Sequence, residues 1–100
     1  MARFTQRRKK LSSAVRRLGA DAALITNFTN VTYLTGFTGD DSYLLVGAGA
    51  EVMLSDPRYT QQLEEECRGL DVAIRSPSGT TLGLVESVVK KARVTRLAVE

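Results

Sequence analysis

The stretch SYLLVGAGAEVML, residues 42–54, carries the strongest indication of the fold. Two short aliphatic runs, 42–46 and 51–54, flank the glycine-containing link Gly47–Ala50. Two such runs around a short link predict an antiparallel β-hairpin. The link does not match a dinucleotide-binding loop, because Val52 stands where the G-x-G-x-x-G pattern requires its third glycine.

Upstream of the hairpin, the sequence predicts a helix, a strand and a single helical turn. Apolar residues at helical spacing form one face of the helix, and Gly19 stands where its C-terminal cap is expected. That face, expected to dock on the sheet, comprises Phe4, Leu11, Val15 and Leu18. Residues 22–26 are an apolar run typical of a buried strand. Residues 31–34 predict one helical turn, preceded by capping side chains at 27–30.

Downstream, Asp56 and Pro57 predict the start of a helix, with Asp56 as the N-cap and Pro57 in the first turn. Its apolar face comprises Tyr59, Leu63, Cys67 and Leu70. The apolar face of a third helix comprises Leu82, Val85, Val88, Val89 and Ala92. Strands are expected at 71–74 and 96–100. The order predicts an α/β fold with a mixed β-sheet and flanking helices. No turn signal follows 96–100, so we expect a fold truncated at its last strand and a chain cut from a longer protein.

Composition limits the kinds of function that this chain can perform alone. One hundred residues with 43% apolar and 25% charged content predict one globular domain. The absence of histidine excludes a histidine-based catalytic triad and the histidine-containing zinc and iron sites. We therefore expect no catalytic residue, metal site or cofactor in this chain. A single cysteine, no apolar run near the roughly 20 residues of a membrane span and no secretory signal lead us to expect a cytoplasmic setting without a membrane partner.

Charge is distributed unevenly along the chain. Residues 1–17 hold seven basic side chains and no acidic one, whereas the remainder holds seven basic and eleven acidic side chains. The basic segment is compatible with a phosphate-binding helix, with a mitochondrial presequence, or with a surface helix docked on the sheet. The apolar face favours the surface helix, and we expect no nucleic acid partner.

Two short segments combine side chains that the fold does not require. In residues 33–42, Gly36 and Gly39 bracket Phe37, and Asp40 and Asp41 follow. This pattern predicts a loop that holds an aromatic ring and carboxylates at the surface. In residues 56–59, the Arg58 guanidinium and the Tyr59 phenol lie at a helix start. Turn and cap chemistry is the alternative explanation for both segments.

These segments, in this order, resemble the amino-terminal domain of the creatinase/prolidase family, which includes Xaa-Pro aminopeptidases and Xaa-Pro dipeptidases. The resemblance comprises NVTYLTGFTG at 30–39, SYLLV at 42–46 and LSDPRY at 54–59, with DAALITN at 21–27 and RLAVE at 96–100. The resemblance extends from about Arg16 to Glu100. It implies that residues 1–100 form one amino-terminal domain.

The resemblance implies a ribonuclease-H-like topology and a two-domain parent. The missing C-terminal catalytic domain of such a parent binds two divalent metal ions (Mn, Co or Zn) and cleaves peptides at Xaa-Pro bonds. The amino-terminal domain then contributes homodimer contacts and residues at a neighbour's active-site mouth. By this analogy the substrate-access residues are Phe37, Asp40, Asp41, Arg58 and Tyr59. The alternatives are a creatinase-like or inactive homologue, and a stand-alone binding module that uses the basic helix.

Overall fold

The computed structural model describes residues 2–100 as a mixed sheet with helices on both faces. The helices are α1 (Ala2–Arg17), α2 (Phe28–Thr35), α3 (Thr60–Glu66) and α4 (Thr81–Lys91), with a 3-10 turn at Pro57–Tyr59. The strands are β1 (Ala22–Ile25), β2 (Tyr43–Gly47), β3 (Ala50–Ser55), β4 (Asp71–Ile74) and β5 (Leu97–Val99). The predicted α/β fold is confirmed.

The sheet has five strands in the order β4-β3-β2-β1-β5. Strand β2 pairs antiparallel with β1 and β3, whereas β4 and β5 add in parallel at the two edges, so β2 alone runs against the others. A meander β1-β2-β3 with a parallel strand beside β1 agrees with the expected ribonuclease-H-like topology. The carboxyl ends of the four parallel strands therefore meet at one edge of the sheet.

The predicted hairpin forms with a tighter turn than its link suggested. Gly47 pairs with Ala50, which leaves Ala48 and Gly49 as a two-residue loop. Both loop residues have positive φ angles, 53° and 76°, as the right-handed twist of a tight hairpin requires. A Cβ at Gly47 would lie 2.5 Å from the Asp21 carbonyl oxygen, so the turn also needs glycine where β2 passes β1.

Two apolar layers cover the sheet because neighbouring strand residues face opposite sides. Leu44, Val46 and Met53 face α1, α2 and α3, and their layer includes Val15, Leu63 and the buried Cys67. Burial raises the pKa of the Cys67 thiol, which agrees with its predicted role as a small core side chain. Ala22, Leu45 and Leu54 face α4.

Three predictions at the helices need correction. Leu18 is 86% exposed, because α1 ends at Arg17 and the chain turns at Gly19 with φ 90°. Helix α2 has eight residues rather than a single turn, since the Asn27 side chain accepts from the Thr29 and Asn30 N–H groups and starts it earlier. On α4, Leu82 is exposed and Leu84 packs on the sheet in its place. Within residues 2–100, no helix combines the length and apolarity that a membrane span needs.

Candidate functional site

The loop after α2 leaves the helix through a left-handed cap at Gly36, φ 82°, and turns Phe37 inward. Thr32 Oγ1 donates to the Phe37 carbonyl (2.6 Å) and the Phe37 N–H donates to Thr35 Oγ1 (3.1 Å). Phe37 is 0% exposed and its ring meets Tyr59 edge-on at 5.5 Å. The expectation that Phe37 lies at the surface is therefore wrong: its ring supports the site from the core.

Gly39 allows the loop to lie directly on these two rings. A Cβ at this position would lie 2.5 Å from Phe37 Cζ and 2.8 Å from Tyr59 Cε1. Contacts this short are excluded, so any larger residue would lift the loop away from the rings. Gly39 thus determines how closely the following carboxylates approach the start of α3.

Helix α3 fixes the loop from its other side. Glu66 Oε1 accepts from the Thr38 N–H at 2.9 Å, and both Glu66 oxygens accept from the Thr38 hydroxyl. Burial would raise the pKa of Glu66, but these bonds and one from Gln62 outweigh it and lower the pKa. One carboxylate of the acidic run 64–66 thus holds the loop.

A buried hydroxyl pair sits beneath the two aspartates. Ser42 Oγ lies 2.7 Å from Ser55 Oγ and donates to the Asp40 carbonyl at 3.1 Å. Because Ser42 has a single hydroxyl proton, Ser55 must donate to Ser42. Asp41 has φ 51°, a conformation that Asp tolerates better than most residues. The chain therefore enters β2 in a turn that presents Asp40 and Asp41 outward.

Arg58 connects the second predicted segment to the first. Its guanidinium donates to Asp56 through Nε (2.9 Å) and Nη2 (2.7 Å), and Nη2 also reaches Asp41 Oδ2 at 3.2 Å. The Arg58 hydrogen bond lowers the pKa of the buried Asp56 to about 2, and the two carboxylates raise the pKa of Arg58. At neutral pH the site thus holds ionised groups of both signs.

Tyr59 joins the same cluster through its hydroxyl. It donates to Asp40 Oδ1 at 3.2 Å, and the Arg58 guanidinium carbon lies 5.1 Å from the centre of its ring. Asp40, Asp41, Arg58 and Tyr59 are therefore brought together, as a shared site requires. Phe37 lies underneath them.

Three of these groups border a cavity of about 500 Å³ at the carboxyl end of the sheet. Asp40, Asp41 and Arg58 line it, together with Asp56 and Arg75, which the sequence did not single out as site residues. In the sequence, only the placement of Asp56 and Arg58 on either side of Pro57 indicates that these two side chains pair. Arg75 follows β4, and only the strand order brings it here.

The cavity is lined by charged groups of both signs. Within residues 2–100, no group of three or more His, Cys, Asp or Glu side chains is placed to hold a metal ion. The implied pair of divalent ions therefore does not fit the residues present, and no chemical step is assigned to such ions in this chain.

Comparison with known proteins identifies the fold family. Residues 7–100 match the sequence profile of the Creatinase/Prolidase N-terminal domain. The chain belongs to this family. This creatinase/prolidase domain is 36% identical over 81 residues to the uncharacterized peptidase YqhT of Bacillus subtilis, covering 79% of the chain and 23% of that protein.

Solved structures agree with the family assignment. The domain is similar to the N-terminal domain of the cytoplasmic peptidase PepQ from Mycobacterium tuberculosis, with TM-score 0.83 and 34% identity over 95% of this chain and 72% of that one. It is also similar to an Xaa-Pro dipeptidase from Bacillus anthracis, with TM-score 0.89 and 25% identity over 97% of this chain and 27% of that chain. The chain thus spans about a quarter of the length of YqhT and of this dipeptidase.

Proposed function

We propose that this creatinase/prolidase domain is the non-catalytic amino-terminal part of a metal-dependent Xaa-Pro peptidase. The observation that carries the proposal is the family match over residues 7–100, together with relatives that are described as Xaa-Pro peptidases. The first partner of this domain would be the parent's own C-terminal domain. That domain would bind both metal ions, which would activate an attacking water molecule. We place the parent in the cytoplasm, as the description of the PepQ relative suggests.

Within this parent, the cluster at the carboxyl end of the sheet is proposed to shape substrate access across a homodimer. Asp40 and Asp41 are exposed, so their carboxylates are available to the charged amino end of a peptide. Arg58 holds Asp41 from one side and Tyr59 holds Asp40 from the other. Phe37 acts beneath Tyr59 as a support rather than as an apolar wall for a prolyl ring.

The proposal is tested with the full-length protein that contains this chain, assayed on Leu-Pro and on longer Xaa-Pro peptides with added manganese. Full-length protein should hydrolyse them and residues 1–100 alone should not. Equal activity of residues 1–100 would contradict the non-catalytic assignment. An inactive full-length protein that still binds metal would favour the inactive homologue, and hydrolysis of creatine instead of peptides would favour the creatinase-like alternative.

The role of the carboxylates is tested separately with D40N/D41N in the full-length protein. We expect KM to rise about tenfold with kcat changed by less than about threefold, because the aspartates would bind substrate without taking part in the chemistry. D71N is the matched control, since Asp71 is an exposed aspartate at the opposite end of the sheet. Unchanged KM in D40N/D41N, or an equal rise in D71N, would reject the substrate-access role.

A further inference from the structure

A second groove, of about 510 Å³, lies between α1 and α2 and has no role in the proposed peptidase function. Its floor is apolar and comprises Leu11, Ile25 and Leu34. The ring of Tyr33, which is 56% exposed, forms part of the lining. The groove therefore offers apolar contact area beside water.

The rim of this groove is strongly basic. Arg3, Arg7 and Lys10 line it from α1, four and three residues apart, and thus follow one face of the helix. Helix α1 carries no acidic residue over Ala2–Arg17. No neighbour on the same helix therefore neutralises these three cations.

Arg7 is held in position before any ligand arrives. Its guanidinium carbon lies 4.0 Å from the centre of the Tyr33 ring and 5.4 Å from that of Phe4, and Nη1 donates to the Tyr33 carbonyl at 2.8 Å. A stacked guanidinium loses little freedom when it binds a carboxylate, and its planar shape suits two-pronged contact. The groove thus contains a cation that is already ordered.

The acidic side chain that lines the groove, Glu100, is already engaged. Its carboxylate accepts from the Thr26 N–H at 2.9 Å, from the Asn27 N–H at 2.8 Å and from the Asn30 amide. These bonds, the one from Asn27 most of all, hold the pKa of Glu100 below its usual range. Glu100 therefore holds the residues that lead into α2, and the lining of the groove has three cations against this one carboxylate.

We propose that the groove between α1 and α2 binds a short acidic peptide segment that carries apolar side chains. The three rim cations match carboxylates, and the floor with Tyr33 matches the apolar side chains. A long nucleic acid fits less well, because the surface beyond residue 17 carries eleven acidic and seven basic groups. A membrane surface fits less well because Leu11 and Val15 of α1 pack toward the core.

The test is calorimetric titration of residues 1–100 with the unlabelled peptide EELLEELLEELL. The wild-type chain should bind it, and R3Q/K10Q should weaken binding about tenfold, because both substituted side chains are exposed at the rim. R16Q/R17Q is the matched control: it removes the same charge from exposed positions of the same helix outside the groove. Urea unfolding of each variant verifies that it remains folded.

Two further ligands separate the alternatives. The peptide EEGGEEGGEEGG has the same charge without apolar side chains and should bind at least about fivefold more weakly. Single-stranded DNA and phosphatidylserine vesicles should bind no more tightly than this second peptide. The proposal is overturned if EELLEELLEELL does not bind, if both double variants weaken binding equally, or if any of these three ligands binds as tightly as EELLEELLEELL.

Discussion

Arg58 and Asp56 form a two-pronged ion pair across a single intervening residue, with Nε 2.9 Å from Oδ1 and Nη2 2.7 Å from Oδ2. Pro57 fixes the turn between them, and the Arg58 N–H donates to the same carboxylate at 2.9 Å. Asp56 therefore caps the turn before α3 and orients the guanidinium that holds Asp41. One buried carboxylate thus links the helix start to the exposed acidic loop.

This pair predicts a specific acid sensitivity. The pKa of Asp56 is about 2 in the folded chain against 3.8 ordinarily, so the folded state binds its proton less readily. Its contribution to stability is therefore present above about pH 4 and is lost as pH falls toward about 2. Solvent around the largely exposed Arg58 weakens the attraction between the two charges. We therefore expect the ionised Asp56 carboxylate to add about 1 kcal/mol to the free energy of unfolding.

Urea unfolding at several pH values checks this expectation through D56N. The variant should be less stable than the wild-type chain near neutral pH, and the difference should shrink as pH approaches 2. D71N serves as the control, because it makes the same substitution at an exposed position. A constant difference between wild type and D56N over the whole range would contradict the assignment.

Local signals explain which parts of the fold could be predicted. Gly19, the Gly47–Ala50 link and Asp56 with Pro57 each act within a few residues, so their conformations follow from the sequence around them. The exposure of Leu18 could not be predicted in the same way. The spacing of Leu18 continues the apolar face of α1. However, the helix ends at Arg17, one residue earlier, and the chain then leaves the sheet, so the side chain is exposed.

The sequence indicated which side chains to examine as a candidate site, but not how deeply each one is buried. Hydrogen bonds join Asp41 to Arg58 and Asp40 to Tyr59, whereas the burial of Phe37 depends on Tyr59, which comes from a distant segment. The local sequence around Phe37 does not specify which distant side chain will pack over its ring. For the same reason the sequence around Glu66 does not show that this side chain fixes the loop through Thr38, 28 residues away.

Arg8 provides a prediction about the attachment of α1. It is 8% exposed, donates to the Leu34 carbonyl at 2.9 Å and lies with Nε 3.1 Å from Glu51 Oε2. Within the described residues Nε makes no hydrogen bond of good geometry, so its attraction to Glu51 is mainly coulombic. R8A should destabilise the chain by about 2 to 3 kcal/mol, because it opens a gap in the packing and removes the donor to the Leu34 carbonyl.

A double-mutant cycle with R8M and E51Q measures the coupling by urea unfolding. E51Q should matter less once Arg8 is replaced, since no buried cation then remains to be paired. R16A is the control at an exposed position of the same helix and should change stability by less than about 0.5 kcal/mol. Strictly additive effects of R8M and E51Q would show that the two side chains do not interact.

The close approach at Gly39 predicts that the same substitution has a larger cost there than at Gly83. G39A places a Cβ 2.5 Å from Phe37 Cζ and should destabilise the chain by about 1 to 3 kcal/mol. Gly83 lies inside α4, where a Cβ would meet Thr80 Oγ1 at 3.1 Å, so G83A should be near neutral or slightly stabilising. Thermal unfolding compares them, and equal destabilisation by both would refute the close-approach argument.

Edge strand β5 is fastened at both ends by carboxylates, which predicts how it opens. Asp21 accepts from the Thr95 N–H (2.8 Å), the Thr95 hydroxyl (2.6 Å) and the Arg96 N–H (3.1 Å), and Glu100 accepts from the N-terminus of α2. Amide hydrogen exchange within Leu97–Val99 should become about tenfold faster in D21A or E100A, and faster still in the double variant. E86A, at an exposed position of α4, should leave this exchange unchanged.

Because the Thr95 hydroxyl bond lowers the pKa of Asp21 and the Asn27 N–H lowers that of Glu100, the wild-type strand should loosen only below their ordinary pKa values, 3.8 and 4.5. Acceleration spread over all strands would instead indicate global destabilisation and reject the local fastening of β5.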